Sequence, residues 1–178
     1  MLLLKKESRF LKENKYLIIS GGTLQKSPWT SGQYSMQMLN DKDKSAANVV
    51  AHMMKHDLFS QWLGIEILDI KEGYSKIKMT VRKEMINGFD IVHGGIAFSL
   101  ADSAFAFACN NRNNLSVALD TSINFTKPVH VSDELIAEAR EIHNGKSTGL
   151  YHISITNQKD HVVAIFKGTC FRTGKNLI

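Results

Sequence analysis

The sequence predicts an α+β domain in which one antiparallel β-sheet packs around a single central helix. Three observations carry that prediction. Residues 96–109 are apolar except for Ser99, Asp102 and Ser103, and a helix apolar on nearly every side belongs in a core. Segments of strand character precede and follow it, two before and four after, with the short turn-rich connections that suit antiparallel pairing. A length of 178 residues with 43% hydrophobic content provides for one ordinary domain with some chain left over.

Taken in order, residues 1–44 form a leader and 45–178 the domain. Met1-Leu2-Leu3-Leu4 is too short for a signal peptide and meets Lys5, Lys6 and Glu7 at once. Ser20-Gly21-Gly22-Thr23 and Ser27-Pro28 read as loop. The leader is expected to be a flexible tail, or an extension upstream of a translation start at Met36 or Met38. Residues 46–62 then read as one helix, with Val49, Val50, Met53, Met54, Leu58 and Trp62 near helical spacing.

Gly64 opens the β segments. Residues 65–70 and 76–81 are the first two strands, the second alternating polar and apolar side chains, joined by a turn at Glu72-Gly73. A loop over 84–93 leads into the central helix at 94–110, which Asn110-Asn111-Arg112-Asn113-Asn114 stops. Four strands follow, at 115–125, 134–143, 148–157 and 162–172. Asn144-Gly145-Lys146 and Gln158-Lys159-Asp160 have hairpin-turn chemistry. Pro128 falls just past its strand, where a missing N–H does least harm.

The charge distribution excludes several functions. The net charge is +5, yet residues 1–44 hold eight Lys/Arg against four acids, and the rest of the chain is nearly balanced. The basic excess belongs to the leader, and no basic stripe interleaved with aromatics marks a nucleic-acid surface. Residues 91–109 have the length of a membrane span, but Asp102 near the centre would cost roughly 2.5–3.5 kcal/mol there. A core helix of a soluble, cytoplasmic protein is the better reading. His52 and His56 lie one helical turn apart with no third ligand placed nearby, so no metal is expected. Cys109 and Cys170 sit in apolar surroundings and are expected to be buried free thiols.

The candidate chemistry starts from Asp102. A lone buried carboxylate is costly unless it is paired, hydrogen-bonded or neutralised by a raised pKa. Ser99, Asp102 and Ser103 share one helix face, so the serines either satisfy the acid or join it in lining a reaction site. Gly94 and Gly95 open the helix, where N–H groups lack intrahelical partners and the dipole favours negative charge. Without side chains, they let a ligand oxygen come close.

These residues carry a specific resemblance. His93-Gly94-Gly95-x-x-Phe98-x-Leu100-Ala101-Asp102, with Asn87-Gly88 upstream, resembles the hotdog-fold acyl-CoA thioesterases, and among them the phenylacetic-acid-degradation type. The likeness extends through Ala104–Asn110, Ile123-Asn124-Phe125-x-Lys127-Pro128 and Gly145-Lys146-x-Thr148-Gly149-x-Tyr151, and covers residues 47–174. It implies a hotdog fold, a homodimer or homotetramer with sites at the subunit interface, and hydrolysis of an acyl-CoA such as phenylacetyl-CoA or hydroxyphenylacetyl-CoA. Coenzyme A enters as part of the substrate, and no cofactor is implied.

The resemblance also implies roles. Asp102 is the general base or nucleophile, the Gly94 N–H polarises the thioester carbonyl, and Asn87 orients the water or the carbonyl. His93 shapes the loop. Gly95 and Ser99 line the site, and Phe89, Phe98 and Phe125 are candidates to wall an acyl pocket. Lys127, Lys146 and Arg172 are candidates for the phosphates of coenzyme A. Some relatives place a serine on the strand after the helix, where this chain has Ala118. Gly94 and Asp102 lie eight residues apart, about 12 Å along one helix, which fits a site shared between two subunits. Two alternatives stand beside hydrolysis. A non-catalytic acyl-CoA-binding module would not need Asp102, and an enoyl-CoA hydratase would want a histidine where Phe107 stands.

Overall fold

The computed structural model describes the backbone of residues 17–20 and 23–26 and, in full, residues 41–178. The chain divides into two units, Met1–Asn40 and Asp41–Ile178. In the first, β1 (Leu17–Ser20) pairs antiparallel with β2 (Thr23–Lys26), from Leu17↔Lys26 to Ser20↔Thr23. Ser20 and Thr23, expected in loop, are therefore strand ends. Ser27-Pro28, Met36 and Met38 lie outside the described residues.

The second unit opens with α1 (Asp41–His56) and α2 (Leu58–Leu63). The sequence predicts one helix over 46–62, and the structure breaks it at Asp57. That residue leaves helical geometry (φ −91°, ψ 85°) and turns its carboxylate onto the Ser60 N–H as the N-cap of α2. The apolar periodicity runs across the break and hides it. Residues 41–44 are helical too, with Asp41 and Asp43 in the first turn, where acids suit the helix dipole. Gly64 ends α2 in the left-handed conformation, φ 75°.

The remaining elements follow the predicted order: β3 (Glu66–Lys71), β4 (Tyr74–Thr80), a 3₁₀ turn (Lys83–Met85), α3 (Gly94–Asn110), β5 (Ser116–Phe125), β6 (Glu134–Asn144), β7 (Thr148–Asn157) and β8 (Val162–Arg172). The six strands β3 to β8 form one sheet in the order β3-β4-β6-β7-β8-β5, with every pairing antiparallel. β5 reaches the far edge because the return from α3 carries it past the hairpins, and it pairs with the last strand. A bulge places Leu119 as an extra residue between the pairs Ala118↔Cys170 and Asp120↔Thr169.

Helix α3 packs across this sheet. Leu100, Ala101, Ala104, Phe105, Phe107 and Ala108 are buried with Ile77, Met79, Leu135, Ala137, Ile153, Ile155 and Phe166. The Phe105 ring meets Tyr151 edge-on at 5.5 Å and lies over Gly168, where any Cβ would come within 3.0 Å of it. Phe105→Ala is expected to cost about 3–5 kcal/mol, read as a lowered urea midpoint; an unchanged midpoint would mean that this contact does not hold α3 down. Cys109 and Cys170 are free and buried, as expected. No helix among the described residues is long and apolar enough to cross a membrane.

Candidate functional site

The loop before α3 is stitched rather than loose. The Asn87 N–H donates to the Ile91 carbonyl (2.8 Å), Val92 N–H to Val129 (2.8 Å) and His93 N–H to Met85 (2.9 Å). Asp90 accepts a positive φ of 58° to make the turn. Three neighbours thus hold the backbone that delivers Asn87 and Gly94.

At the helix start His93 is the N-cap. Its Nδ1 accepts from the Gly95 N–H at 3.0 Å, and its carbonyl accepts from Ile96 at 2.9 Å. The Gly94 N–H, at the first helical position, has no acceptor among the described residues. A first-turn donor is unpaired by geometry, and here the capping residue satisfies its neighbours and leaves that one open. The Phe125 ring packs against Gly94 so closely that a Cβ there would stand 3.1 Å from its Cζ.

Gly94 faces a cavity of about 450 Å³ walled mainly by Asn87, Ile91, Val92, Ala97, Phe125, Lys127, Pro128, Val129 and Val163. Asn87 stands in the wall of this cavity. Its Oδ1 accepts from the Phe89 N–H at 2.8 Å as a turn residue, and its amide N–H groups have no acceptor among the described residues. The mostly apolar wall and a few convergent donors match the general character of a small-molecule site.

Asp102 is not among the cavity's walls. It lies on the stripe of α3 formed by Gly95, Ser99, Asp102 and Ala106, which this protomer leaves partly uncovered. No hydrogen bond reaches its carboxylate from the described residues. Burial first, and the nearby negative charge of Asp57 second, push its pKa above the ordinary value. Neither serine satisfies the acid. Ser99 Oγ donates to the Gly95 carbonyl at 2.7 Å, and Ser103 Oγ pairs with Ser60 Oγ at 2.9 Å.

Of the residues expected to meet substrate, the structure gathers Gly94, Asn87, Phe125 and Lys127 around one cavity, while His93 and Gly95 flank Gly94 in the chain and are not among its walls. Phe89 is 84% exposed beside it. Phe98 packs edge-on against Phe166 at 5.3 Å and belongs to the core fringe. Lys146 lies in the β6–β7 turn, outside the cavity wall.

Arg172 is a correction. It is 7% exposed and donates to the carbonyls of Gly145 and Cys109 (both 3.3 Å), to Ser116 Oγ (3.5 Å), to Asn144 Oδ1 (2.5 Å) and to the Tyr151 hydroxyl (3.4 Å). Those bonds pin the end of α3 to the β6–β7 turn and leave nothing for a phosphate. The sequence reading makes Arg172 a candidate for the phosphates, whereas the alternation of β8 turns it inward on the same side as Cys170. Missed altogether is Asp57, for which the N-cap pattern Asp57-x-x-Ser60 inside a helical run was the available signal.

Comparison with known proteins places this geometry in context. The model of the Thioesterase superfamily matches residues 89–164. Acyl-coenzyme A thioesterase PaaI of Escherichia coli K12 is 44% identical over 125 residues, covering 70% of this chain and 89% of that protein. The solved structure of E. coli PaaI, from the phenylacetic acid degradation operon, aligns with a TM-score of 0.75 at 40% identity, over 76% of this chain and 99% of that one. A hypothetical thioesterase of Streptococcus pneumoniae TIGR4, solved with coenzyme A, aligns with a TM-score of 0.61 at 28% identity, over 63% of this chain and 88% of that one.

Proposed function

The chain belongs to the thioesterase superfamily and has the hotdog fold, and from that premise we propose that it hydrolyses acyl-CoA thioesters of the aryl-acetyl class. The observation that carries this reading is the unpaired Gly94 N–H at the wall of an apolar cavity, together with an unpaired carboxylate eight residues along the same helix. A thioester hydrolase needs both: a donor for the developing oxyanion and a base for water.

In this reading Asp102 takes a proton from water as the oxygen adds to the thioester carbonyl carbon. The Gly94 N–H, backed by the positive end of α3, carries the oxyanion of the tetrahedral intermediate. The Asn87 amide donates to the water or the carbonyl. Collapse of the intermediate expels the thiolate of coenzyme A and leaves the free acid. A base with raised proton affinity suits that step, and the environment of Asp102 supplies it. Phe125 and the apolar wall receive the acyl group, and Lys127 meets the phosphates.

The two groups lie about 12 Å apart along one helix, so one protomer does not present them to the same carbonyl. The reading therefore includes a two-fold dimer, and beyond it a tetramer. Antiparallel α3 helices with the axis near Phe98 set Gly94 of one subunit opposite Asp102 of the other. Two features support this. The stripe around Ser99 and Asp102 is partly uncovered, and the ten-residue β5, paired with β8 on one side, has no strand on the other among the described residues, with Val117 51% and Leu119 62% exposed. Such an edge is a template for strand pairing. Phenylacetyl-CoA and its hydroxylated forms are the substrates assigned, on the strength of the likeness to PaaI of the phenylacetic acid degradation operon.

The test is thiol release from phenylacetyl-CoA, hydroxyphenylacetyl-CoA and a straight-chain acyl-CoA series. The highest kcat/KM is expected on the aryl-acetyl substrates. Tight acyl-CoA binding without thiol release would replace this reading with a binding module. Loss of enoyl-CoA absorbance without thiol release would point instead to hydration.

A further inference from the structure

Asp57, at the joint between α1 and α2, has no place in the chemistry above, yet its charge reaches Asp102. Its two oxygens are both engaged by one residue. Oδ1 accepts from the Ser60 N–H at 2.9 Å, and Oδ2 accepts from the Ser60 hydroxyl at 2.6 Å. Ser60 is fully buried, and its Oγ also meets Ser103 Oγ at 2.9 Å.

The direction of these bonds follows from counting protons. A hydroxyl has one to give. Ser60 gives its proton to the Asp57 carboxylate, so in the Ser60–Ser103 pair Ser103 is the donor. Ser99, one turn before Asp102, has given its proton to the Gly95 carbonyl. Every hydroxyl next to Asp102 on its helix face is thus committed elsewhere, and the carboxylate stays bare and half-buried.

The other groups around α3 do not offset this. Strands β4 and β6 present Ile77, Met79, Leu135 and Ala137 to the helix, with Ser75 bonded to the Ala104 carbonyl at 2.7 Å. Tyr151 from β7 and Cys170 and Arg172 from β8 gather at the C-terminal end, around Phe105 and Cys109. Asp57 adds its negative charge to burial in raising the Asp102 pKa, and on α3 itself the Cys109 thiol is the titratable group that feels Asp102.

We infer that Asp57 is a positioning residue for the reaction: its carboxylate takes the Ser60 hydroxyl proton, so that Ser103, the neighbour of Asp102 on α3, gives its own proton to Ser60 and leaves the Asp102 carboxylate without a hydroxyl donor. The inference rests on the hydrolase reading for its consequence, but the coupling of the two carboxylates can be measured apart from turnover.

The experiment is Asp57→Asn, read in two ways. Asparagine caps a helix as well as aspartate does, and Oδ1 still accepts the Ser60 N–H. Its amide cannot accept the Ser60 hydroxyl, whose proton then turns toward Ser103. The first readout is the Asp102 carboxyl titration by carbon NMR, assigned with Asp102→Asn. The second is the acid limb of kcat/KM. Both are expected to move to lower pH by at least about half a unit, with the melting temperature little changed. A titration that stays in place, even with altered stability, would overturn the inference and leave Asp57 as a helix cap. A titration that moves while no substrate is turned over by the wild type would sustain the coupling and sink the hydrolase reading. Should Asp57→Asn fail to fold, Asp57→Ser caps with a neutral hydroxyl and carries the same expectation.

Discussion

Asp102→Ala is expected to lower kcat by several hundredfold or more while leaving the fold intact. A positioned general base contributes roughly 10²–10⁴-fold, and the mutation removes it without touching the hydrogen bonds of Ser99 or Ser103. The wild-type profile carries a matching signature. Because burial and Asp57 raise the Asp102 pKa above its ordinary value, activity climbs with pH through a point above that ordinary value, and the variant loses that limb. Stability has the opposite sign. A carboxyl that holds its proton more tightly when folded contributes stability below its unfolded pKa, and that contribution is lost as pH rises through the folded value. At neutral pH the ionised Asp102 is therefore a burden, and the variant is expected to melt no lower than the wild type. Equal turnover in the two proteins would remove Asp102 from the mechanism. A lowered melting temperature that tracks the lost activity would make its role structural.

The balance between site and stability bears on how much was legible from sequence. α3 was readable to the residue, because a run apolar but for Ser99, Asp102 and Ser103 is bounded by glycines before it and asparagines after it, and Asp102 argues against a membrane span. Thr148–Asn157 and Val162–Arg172 were equally plain, since hairpin chemistry brackets each. The joint at Asp57 was not, because Leu58 and Trp62 keep the helical spacing while one side chain ends the helix and caps the next. Arg172 escaped for a related reason. A cation reads as a group for solvent or phosphate until the structure supplies five acceptors around it. Gly94 and Asn87 were visible as a motif, but only the cap geometry shows why the Gly94 donor, rather than that of Gly95, is open. His93 Nδ1 takes the second and has no reach to the first. Sequence periodicity reports burial, whereas a proton's destination depends on partners distant in the chain.

Mixing two inactive variants is expected to restore activity, and this is the sharpest consequence of a shared site. Gly94→Pro removes the one N–H assigned to the oxyanion and sets its ring in the path of the ligand oxygen. Proline is well tolerated at the first helical position, and His93 already has the extended backbone (φ −64°, ψ 132°) that a following proline requires. The half-exposed Phe125 ring needs to give by only a few tenths of an ångström. Loss of one oxyanion donor costs on the order of 10²–10³-fold, so Gly94→Pro and Asp102→Ala are each nearly inactive alone. In a dimer of one with the other, one site combines the intact Gly94 of the Asp102→Ala subunit with the intact Asp102 of the Gly94→Pro subunit, and the other site lacks both. Co-expression at equal levels with random pairing makes half the dimers mixed, each with one working site of two, so about a quarter of wild-type activity returns. Differential tags separate the mixed dimer, which is expected to show about half the wild-type rate. If the mixture stays as inactive as its components, while size measurements show that mixed dimers have formed, Gly94 and Asp102 do not serve one site across the two-fold axis.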